Sequence, residues 1–384
     1  MPRNLSIDVF CRVIDFFGDI GVCWRLVRQL HEEFDCIVRL IVDDFTTFKR
    51  IAPALAPDLQ QQALNGITIL RWDDVTLEAH YKEASDVVIE AFACSLPDSV
   101  IAKIKVARPI WIDLEYLSAE AWVEECHAIP SWHPATGVEK ALFFPGFTAS
   151  TGGLPRERAL IARRDAFQSD STAQNRWRER HGLPPLERDV TDLSLFCYRQ
   201  APLRTLMGAI DKSTTPVRLF VTGGVDEEAV RATGLDQHPS FHRVQFLSQE
   251  DYDHLLWTCS ANFVRGEDSL VRAIWAEKPL VWHIYPQENA AHLVKLEAFM
   301  RLYSSNLPPE SASSLYKFAH LWNVRGRSEE DRFLSQDQDW ILLLNQVSSD
   351  LGGWSENLLL QRDLASQLID FIRQQKSQQE SNVP

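Results

Sequence analysis

The sequence lacks any pairing pattern among its cysteines. Seven cysteines are present, an odd number, and no two stand in C-x-x-C spacing. They are Cys11, Cys23, Cys36, Cys94, Cys126, Cys197 and Cys259. A disulfide framework and a structural zinc site are therefore not expected, and we predict reduced, mostly buried thiols, as is usual in a cytosolic protein.

Long apolar segments are also missing. No run approaches the roughly 20 apolar residues that a membrane-spanning helix needs. The opening residues 1–4 lack the apolar stretch of a secretory signal. We therefore expect a cytoplasmic protein with no membrane partner.

Basic residues are too few for a broad nucleic-acid-binding surface. The chain has 39 Lys and Arg against 53 Asp and Glu, a formal net charge of −14. Because nucleic-acid surfaces need clustered positive charge, we expect no nucleic-acid partner. The acid excess favours a cationic partner over an anionic one, although it can also serve solubility alone.

Several common catalytic motifs are absent as well. The sequence has no G-x-x-x-x-G-K-[ST], no G-x-G-x-x-G after its first predicted strand, no G-x-S-x-G and no H-E-x-x-H. These absences argue against a P-loop ATPase, a dinucleotide-binding enzyme, a serine hydrolase and a zinc protease.

What the chain does contain is an alternation of short apolar runs with helical patterns, in both halves. Such alternation is typical of βαβ units and a parallel sheet. The predicted strands are 6–13, 36–42, 67–70, 87–91, 110–114, 193–197, 217–221, 243–246, 262–264 and 280–283. Predicted helices include 21–33, 97–106, 203–210, 249–259 and 268–276. The length of 384 residues suits two such domains better than one hydrophobic core.

The alternation of strand and helix patterns stops near Thr151, which suggests where one domain ends and the next begins. Gly152 and Gly153 break the pattern, and a charged stretch follows. We predict an N-terminal Rossmann-like domain over 1–150 and a connecting segment over 151–185. A C-terminal Rossmann-like domain over 186–360 follows, and the chain closes with a helix and tail over 361–384. Two such domains would face a central cleft, where loops after strands carry the chemistry.

Residues 13–22 form the first segment that stands out, between the first predicted strand and helix. Gly18 and Gly21 permit a tight turn and close approach of a ligand. Asp15 and Asp19 bracket the predicted loop, so either carboxylate could act as a general base or hold a cationic acceptor. Equally, Asp19 could cap the helix and Asp15 could be a turn residue.

Residues 264–269 form the second segment, again between a strand and a helix. A helix N-terminus suits a diphosphate, and Arg265 could neutralise charge on a phosphate leaving group. Ser269 adds a hydroxyl donor. The negative charges of Glu267 and Asp268 would repel a phosphate unless these side chains point at sugar hydroxyls. The alternative is a capped helix with Arg265 in a structural ion pair.

Several long motifs, in this order along the chain, resemble the elongation factor P arginine rhamnosyltransferase (EarP) family. They include V-I-D-F-F-G-D-I-G-V-C-W-R-L, F-V-R-G-E-D-S-L-V-R-A and K-P-L-V-W-H-I-Y-P-Q. The matching segments are 13–26, 89–97, 111–120, 150–158, 263–273 and 278–287. The resemblance spans nearly the whole chain except the C-terminal tail.

The resemblance implies a GT-B architecture, in which the domain over 1–150 receives the acceptor and the domain over 186–360 binds the nucleotide sugar. It also implies an inverting transfer of L-rhamnose. The donor would be dTDP-β-L-rhamnose, and the acceptor would be one arginine side chain of elongation factor P, which helps ribosomes stalled at polyproline stretches. GT-B enzymes generally work without a bound metal, so no metal or other cofactor is expected.

Residue roles also follow from the matching motifs. Asp19 matches the family's catalytic base, and Asp15 matches a carboxylate that holds the acceptor guanidinium. Glu267 would hold sugar hydroxyls or a positioning arginine. The other donor-site residues implied by the resemblance are Tyr198, Phe246, Arg265, Asp268, Ser269 and Tyr285.

Two rival functions stay open at this point. A noncatalytic protein that binds elongation factor P would need no donor site, and the R-G-E-D-S segment argues against it. Sequence patterns cannot exclude a GT-B enzyme with another donor or acceptor, and only the family resemblance argues against it.

Overall fold

The computed structural model describes residues 4–134, 136–324 and 339–381. The chain divides into two compact units: Met1–Arg158 with Leu360–Pro384, and Ala159–Leu359. The predicted connecting segment, 151–185, is therefore distributed over both units, and the C-terminal segment belongs to the first. Strands and helices alternate in both units, which confirms the predicted α/β class.

The first unit is built on a sheet of eight strands within the described residues. They are β1 Ser6–Cys11, β2 Ile37–Val42, β3 Gln61–Leu64, β4 Ile67–Arg71, β5 Val87–Ala91, β6 Ile110–Leu114, β7 Pro130–Trp132 and β8 Glu139–Phe143. The spatial order is β3-β4-β2-β1-β5-β6-β8-β7. Pairing is parallel except at the two edges, where β3 and β7 run antiparallel to their neighbours.

The order of these strands reverses between β1 and β5, which lie side by side. In a doubly wound sheet, such a switch point opens a crevice at the carboxyl ends of the strands. The loops that follow β1, β5 and β6 therefore lie where a ligand would bind.

The helices of the first unit follow its strands. They are α1 Phe17–Phe34, α2 Phe45–Ile51, α3 Asp74–His80, α4 Asp98–Ala107 and α5 Trp122–Cys126. Helix α1 begins four residues before its predicted start at Gly21. The prediction that Gly18 and Gly21 lie in a loop was therefore wrong, since both lie inside the helix. The chain turns instead at Phe16, whose backbone φ is positive at 38°.

The second unit contains a fully parallel five-stranded sheet. Its strands are β9 Thr191–Leu195, β10 Val217–Val221, β11 Phe241–Arg243, β12 Ala261–Arg265 and β13 Leu280–His283. The order β11-β10-β9-β12-β13 places the switch point between β9 and β12. Loops after these two strands flank the expected ligand crevice of this unit.

Nine α-helices accompany this sheet within the described residues. They are α6 Leu160–Ser169, α7 Ser171–Arg180, α8 Leu203–Asp211, α9 Glu227–Thr233, α10 Gln249–Thr258, α11 Asp268–Trp275, α12 Ala291–Tyr303, α13 Pro309–Asn323 and α14 Trp340–Leu359. Ser248 caps the start of α10, because its hydroxyl accepts from the Asp251 N–H at 3.1 Å.

The last helix, α15 Leu364–Ser381, returns to the first unit. It packs against α1 and β6, and Phe371 meets the edge of Phe143 at 5.7 Å between ring centroids. The Leu364 N–H donates to the Leu154 carbonyl at 3.0 Å, which ties the start of the helix to the segment after β8.

Each unit fixes its first two parallel strands with a buried bidentate ion pair. Asp8 on β1 is fully buried and accepts from Arg39 on β2 at 2.6 and 2.9 Å. Asp192 on β9 accepts from Arg218 on β10 at 2.6 and 3.0 Å. In both cases the partners are directly opposite in the strand register. Since a slip of one residue would separate them, each pair specifies register as well as contact.

Removing Asp192 should destabilise the second unit far more than removing an exposed carboxylate from the same network. Besides Arg218, Asp192 pairs with Arg178, which is fully buried, at 2.6 Å. Asp192→Ala leaves both cations without this carboxylate, so we expect a loss of about 3–5 kcal/mol, measured by thermal unfolding.

Glu187→Ala is the matched control, because Glu187 also contacts Arg218, at 2.9 Å, but its side chain is 57% exposed. That variant should lose no more than about 1 kcal/mol. Equal losses for the two variants would contradict a dominant role for the buried pair.

Candidate active site

Asp19 is a buried carboxylate at the switch point of the first unit. It lies in the first turn of α1 and is only 2% exposed. Its Oδ2 accepts from the backbone N–H groups of Ile14 and Asp15, both at 2.8 Å. Tyr116, just after β6, approaches Oδ1 with its hydroxyl at 3.5 Å. The side chain therefore holds the β1–α1 loop together instead of capping its own helix.

Burial raises the pKa of the Asp19 carboxyl above its ordinary value. The two backbone N–H groups and the Tyr116 hydroxyl act in the opposite direction, and the negative charge of Asp43 adds to the increase. A buried carboxylate with increased proton affinity is suited to accept a proton during a reaction.

Asp15 lies in the β1–α1 loop, and its backbone N–H joins it to Asp19. The Gly18 N–H donates to the Asp15 carbonyl at 2.7 Å, which closes a tight turn. A Cβ at position 18 would lie 2.7 Å from Asp15 Oδ2, so the carboxylate packs directly against this glycine. Gly18 therefore serves the close approach of Asp15, even though it lies within the helix.

Further acidic side chains lie at the same end of the sheet, and sequence reasoning missed them. Lys140 on β8 pairs with Glu90 at 2.9 Å and with Asp113 at 2.6 Å, at the ends of β5 and β6. Burial and the charge of Asp113 raise the pKa of Glu115 to about 7. The signal in the sequence was the acidic residue near the end of each strand, inside runs that otherwise read as buried apolar strands.

Arg265 is the central cation at the switch point of the second unit. It is the last residue of β12 and is 9% exposed. Its guanidinium lies over the rings of Phe196 and Tyr198, at 4.3 and 4.8 Å from their centroids. Nη1 donates to the Cys197 carbonyl at 3.0 Å. These contacts, all with the loop after β9, fix the plane of the guanidinium.

The turn from Arg265 to Ser269 connects β12 to α11. Gly266 takes a left-handed conformation at φ 60°, which favours glycine, and its carbonyl accepts from the Trp282 indole at 2.9 Å. The Ser269 hydroxyl binds the backbone of Arg265, accepting from its N–H at 3.0 Å and donating to its carbonyl. Ser269 therefore stabilises the turn itself.

Glu267 and Asp268 stand at the N-terminus of α11. Asp268 is the first helical residue, and Glu267 precedes it. Lys295 on α12 donates to Glu267 Oε1 at 3.0 Å. This ion pair fixes one oxygen of the Glu267 carboxylate, and the lysine was missed by sequence reasoning because it lies 28 residues further along the chain.

Two tyrosines and a histidine line the same region. Tyr198, which is 7% exposed, meets Tyr285 edge to face at 5.6 Å, and Tyr285 is 42% exposed. The Tyr198 N–H donates to Nδ1 of His283 at 3.2 Å. Tyr198, Arg265 and Tyr285 are thus brought together, and His283 anchors them although sequence reasoning gave it no role.

Phe246 lies in the loop between β11 and α10. A Cβ on Gly223 would stand 2.8 Å from the Phe246 backbone nitrogen, and a Cβ on Gly224 would stand 2.5 Å from the Phe196 ring. The two glycines after β10 therefore allow both aromatic residues to approach. Phe196, Tyr198, Phe246 and Arg265 all follow or end strands, and so lie at the carboxyl edge of this sheet.

The two units thus offer opposite chemistry. The first presents buried and half-buried carboxylates, which suit a cationic group. The second presents a stacked arginine beside a helix N-terminus, which suits a phosphate.

Two further features, a metal-binding cluster and a membrane-spanning helix, can be checked in the described residues. Among the described residues, no group of three or more His, Cys, Asp or Glu side chains is arranged to hold a metal ion. Nor does any helix in those ranges have the length and apolar character that a bilayer crossing requires.

Comparison with a solved structure identifies the class of this fold. The structure, which concerns EarP-mediated arginine glycosylation of translation elongation factor EF-P, is 29% identical in sequence and superposes with a TM-score of 0.63. The match covers 97% of this chain and 99% of the other. The protein is a glycosyltransferase of GT-B architecture, as predicted.

Sequence comparison gives the family. Residues 7–373 match the family described as elongation factor P (EF-P) rhamnosyltransferase EarP, and the chain belongs to that family. A protein-arginine rhamnosyltransferase of Pseudomonas aeruginosa is 40% identical over 383 residues, covering 95% of this chain and 98% of the relative. One of Shewanella oneidensis with the same name is 37% identical over 395 residues, covering 95% and 97%.

Asp19→Asn should gain stability relative to the wild type as the pH rises. Because the folded pKa of Asp19 is raised, the folded protein binds this proton more tightly than the unfolded chain does. The resulting stability is fully present at low pH and is lost as the pH rises through the folded pKa. Asparagine does not titrate.

The measurement is the difference in melting temperature between variant and wild type, from about pH 4 to about pH 8. Glu310→Gln, at an exposed position, controls for the loss of one carboxylate. A difference that moves in favour of the wild type with rising pH would refute the raised proton affinity.

Proposed function

We propose that the protein transfers L-rhamnose from dTDP-β-L-rhamnose to one arginine side chain of elongation factor P, with inversion at the anomeric carbon. The observation that carries the proposal is the buried Asp19 carboxylate, held by two backbone N–H groups beside Asp15. The relatives named protein-arginine rhamnosyltransferase supply the substrate class.

The acceptor half of the proposal rests on the chemistry of arginine. A guanidinium stays protonated near neutral pH, so its nitrogen lone pairs are delocalised and poorly nucleophilic. Two adjacent carboxylates would orient the group and withdraw a proton as the new bond forms. We assign these roles to Asp15 and Asp19, which are joined by the Asp15 N–H at 2.8 Å, and burial increases the proton affinity of Asp19.

The donor half rests on charge at the leaving group. As the sugar–phosphate bond breaks, negative charge develops on the dTDP diphosphate. Arg265, at the end of β12 and held over Phe196 and Tyr198, would stabilise that charge together with the N-terminus of α11. Tyr285 would lie near the diphosphate, with Phe246 and Tyr198 along the nucleotide and Asp268 and Ser269 completing the donor loop.

Glu267 fits a positioning role in this scheme. Lys295 holds the Glu267 carboxylate at 3.0 Å, and because a carboxylate has several lone pairs, Glu267 could accept from a sugar hydroxyl as well. Ser269 would support the donor site through its bonds to the Arg265 backbone.

The proposed bond changes balance without a metal. A guanidinium nitrogen attacks the anomeric carbon on the face opposite the diphosphate, and a carbon–nitrogen bond forms. The carbon–oxygen bond to dTDP breaks, and the phosphate oxygen keeps the electron pair. Asp19 receives the proton lost by nitrogen, and the β-linked sugar becomes α-linked to arginine. Modified elongation factor P would then act on ribosomes stalled at polyproline stretches.

Intact-protein mass spectrometry tests the transfer directly. The purified protein, unmodified elongation factor P and dTDP-L-rhamnose are incubated with a metal chelator. We expect one deoxyhexose of added mass on a single arginine, located by fragmentation. Binding without added mass would instead favour the noncatalytic alternative, and transfer only from another nucleotide sugar would favour a different donor.

Asp19→Asn is the matched variant for that assay. It keeps the shape of the side chain and one oxygen that accepts hydrogen bonds, but it cannot take the proton. We expect turnover to fall by about 100- to 10,000-fold, while dTDP binding measured by calorimetry stays near the wild-type value. A fully active Asp19→Asn enzyme would remove Asp19 as the base.

Arg265→Lys should lower turnover even though the positive charge is kept. Lysine cannot reproduce the planar stacking on Phe196 and Tyr198 or the directed bond to the Cys197 carbonyl. We expect a loss of about 100- to 1,000-fold in kcat with dTDP-L-rhamnose. A lysine variant with wild-type turnover would mean that charge alone suffices at this position.

A further inference from the structure

The two oxygens of the Asp19 carboxylate have different surroundings. Oδ2 is occupied by the N–H groups of Ile14 and Asp15, each at 2.8 Å. Oδ1 faces the Tyr116 hydroxyl at the longer distance of 3.5 Å. Catalytic hydrogen bonds are often long before substrate binds and tighten in the complex. Oδ1 is therefore the oxygen that can exchange partners during a reaction.

Tyr116 is held in place by the loop that follows β5. Its ring stacks on Phe92, with centroids 4.6 Å apart and an angle of 20° between the planes. Phe92 takes a left-handed backbone conformation at φ 58°, as do Ala93 at 49° and Ser95 at 56°. Three departures of this kind among four consecutive non-glycine residues are costly and persist only where surrounding contacts impose them.

Those surrounding contacts are visible. Glu90 accepts from the Ser95 N–H at 3.0 Å, and the Cys94 thiol donates to the Phe10 carbonyl at 3.6 Å. Glu90 is itself paired with Lys140. The strained loop is thus anchored to β1 and β5, and the Phe92 ring offers Tyr116 a fixed platform.

Asp43 approaches the same site from the end of β2. Its Oδ1 accepts from the Val13 N–H at 2.9 Å, and its Oδ2 lies 4.0 Å from Arg12 Nε. It thereby anchors the first residues of the loop whose later residues bind Asp19. It also places a second negative charge near that carboxylate.

We propose that Tyr116 and Asp43 are positioning residues that act through Asp19: Tyr116 holds the oxygen that receives the acceptor's proton, and Asp43 anchors the loop and sets the local charge. This inference rests on the proposed function, in which Asp19 is the base.

The effects of the two residues on Asp19 have opposite signs. Tyr116 lowers the pKa of Asp19 by donating a hydrogen bond to the charged form, whereas the charge of Asp43 raises it. Other titratable groups also face this region from β1, from the β1–α1 loop, from α1 and from the loop after β5. They are Cys11, Arg12, Asp15, Cys23 and Cys94. All of these are unchanged in the variants below.

The test uses two conservative variants of the full-length protein. Tyr116→Phe keeps the ring that stacks on Phe92 and removes only the hydroxyl. Asp43→Asn keeps an oxygen for the Val13 N–H and removes only the charge. The readout is kcat/KM for rhamnosyl transfer to elongation factor P as a function of pH, whose acidic limb reports the base in the free enzyme.

We expect the acidic limb to move to higher pH in Tyr116→Phe and to lower pH in Asp43→Asn. At a pH below the wild-type midpoint, activity relative to each enzyme's own plateau should rank Asp43→Asn above wild type and wild type above Tyr116→Phe. Tyr81→Phe is the matched control, since it removes a hydroxyl that donates to Asp8 at 2.9 Å elsewhere in the same unit. It should leave the limb in place.

A second readout does not depend on transfer. Carbon-13 NMR of carboxyl-labelled protein, with the Asp19 signal assigned from Asp19→Asn, gives the titration of Asp19 in each variant. The inference is supported if the two variants shift in opposite directions, and if each variant's Asp19 titration shifts in the same direction as its acidic limb. An unmoved Asp19 titration in both variants overturns it, even if transfer occurs. Wild-type protein that transfers no rhamnose, with Asp19 titrating as expected in the variants, overturns the proposed function instead.

Discussion

The buried ion pair between the first two parallel strands of each unit is the constraint on which both candidate sites depend. Asp8 with Arg39, and Asp192 with Arg218, are directly opposite in register and are held by two hydrogen bonds each. A charge taken out of water is tolerated only if its partners are well placed, so a shifted register would leave these groups unpaired. The pairs therefore fix where each strand ends, and with it where each site loop begins.

Parallel pairing then gathers these loops at one edge of each sheet. In the first unit, Asp19, Tyr116 and Asp43 follow β1, β6 and β2. In the second, Tyr198 follows β9 and Arg265 ends β12. These side chains belong to different loops and are far apart in the sequence. Distant motifs are brought together because each follows a strand, and the strand order then decides which of them become neighbours.

Sequence patterns predicted most of this framework and failed in places with a physical reason. Val87–Ala91, Ile110–Leu114, Val217–Val221 and Leu280–His283 are strands with the predicted bounds, because they are buried runs between clear breaks. The edge strands Gln61–Leu64 and Pro130–Trp132 were missed, since their exposed residues carry no apolar run. Helix α1 was predicted to start too late because Gly18 and Gly21 suggested a loop. Single-sequence patterns also cannot reveal partners such as Lys295 and His283, which are defined only by tertiary contacts.

The same reasoning explains why the position of the site could be predicted from the sequence more readily than the proton affinity of its carboxylate. A carboxylate in a loop after a strand is visible in the sequence, but its proton affinity depends on burial and on neighbours from other strands. An arginine acceptor makes that affinity decisive. A carboxylate exposed to water would bind the guanidinium but hold its proton weakly, whereas one buried without donors would stay protonated and could not accept. Asp19 lies between these limits, because burial raises its proton affinity while two backbone N–H groups and Tyr116 moderate the increase.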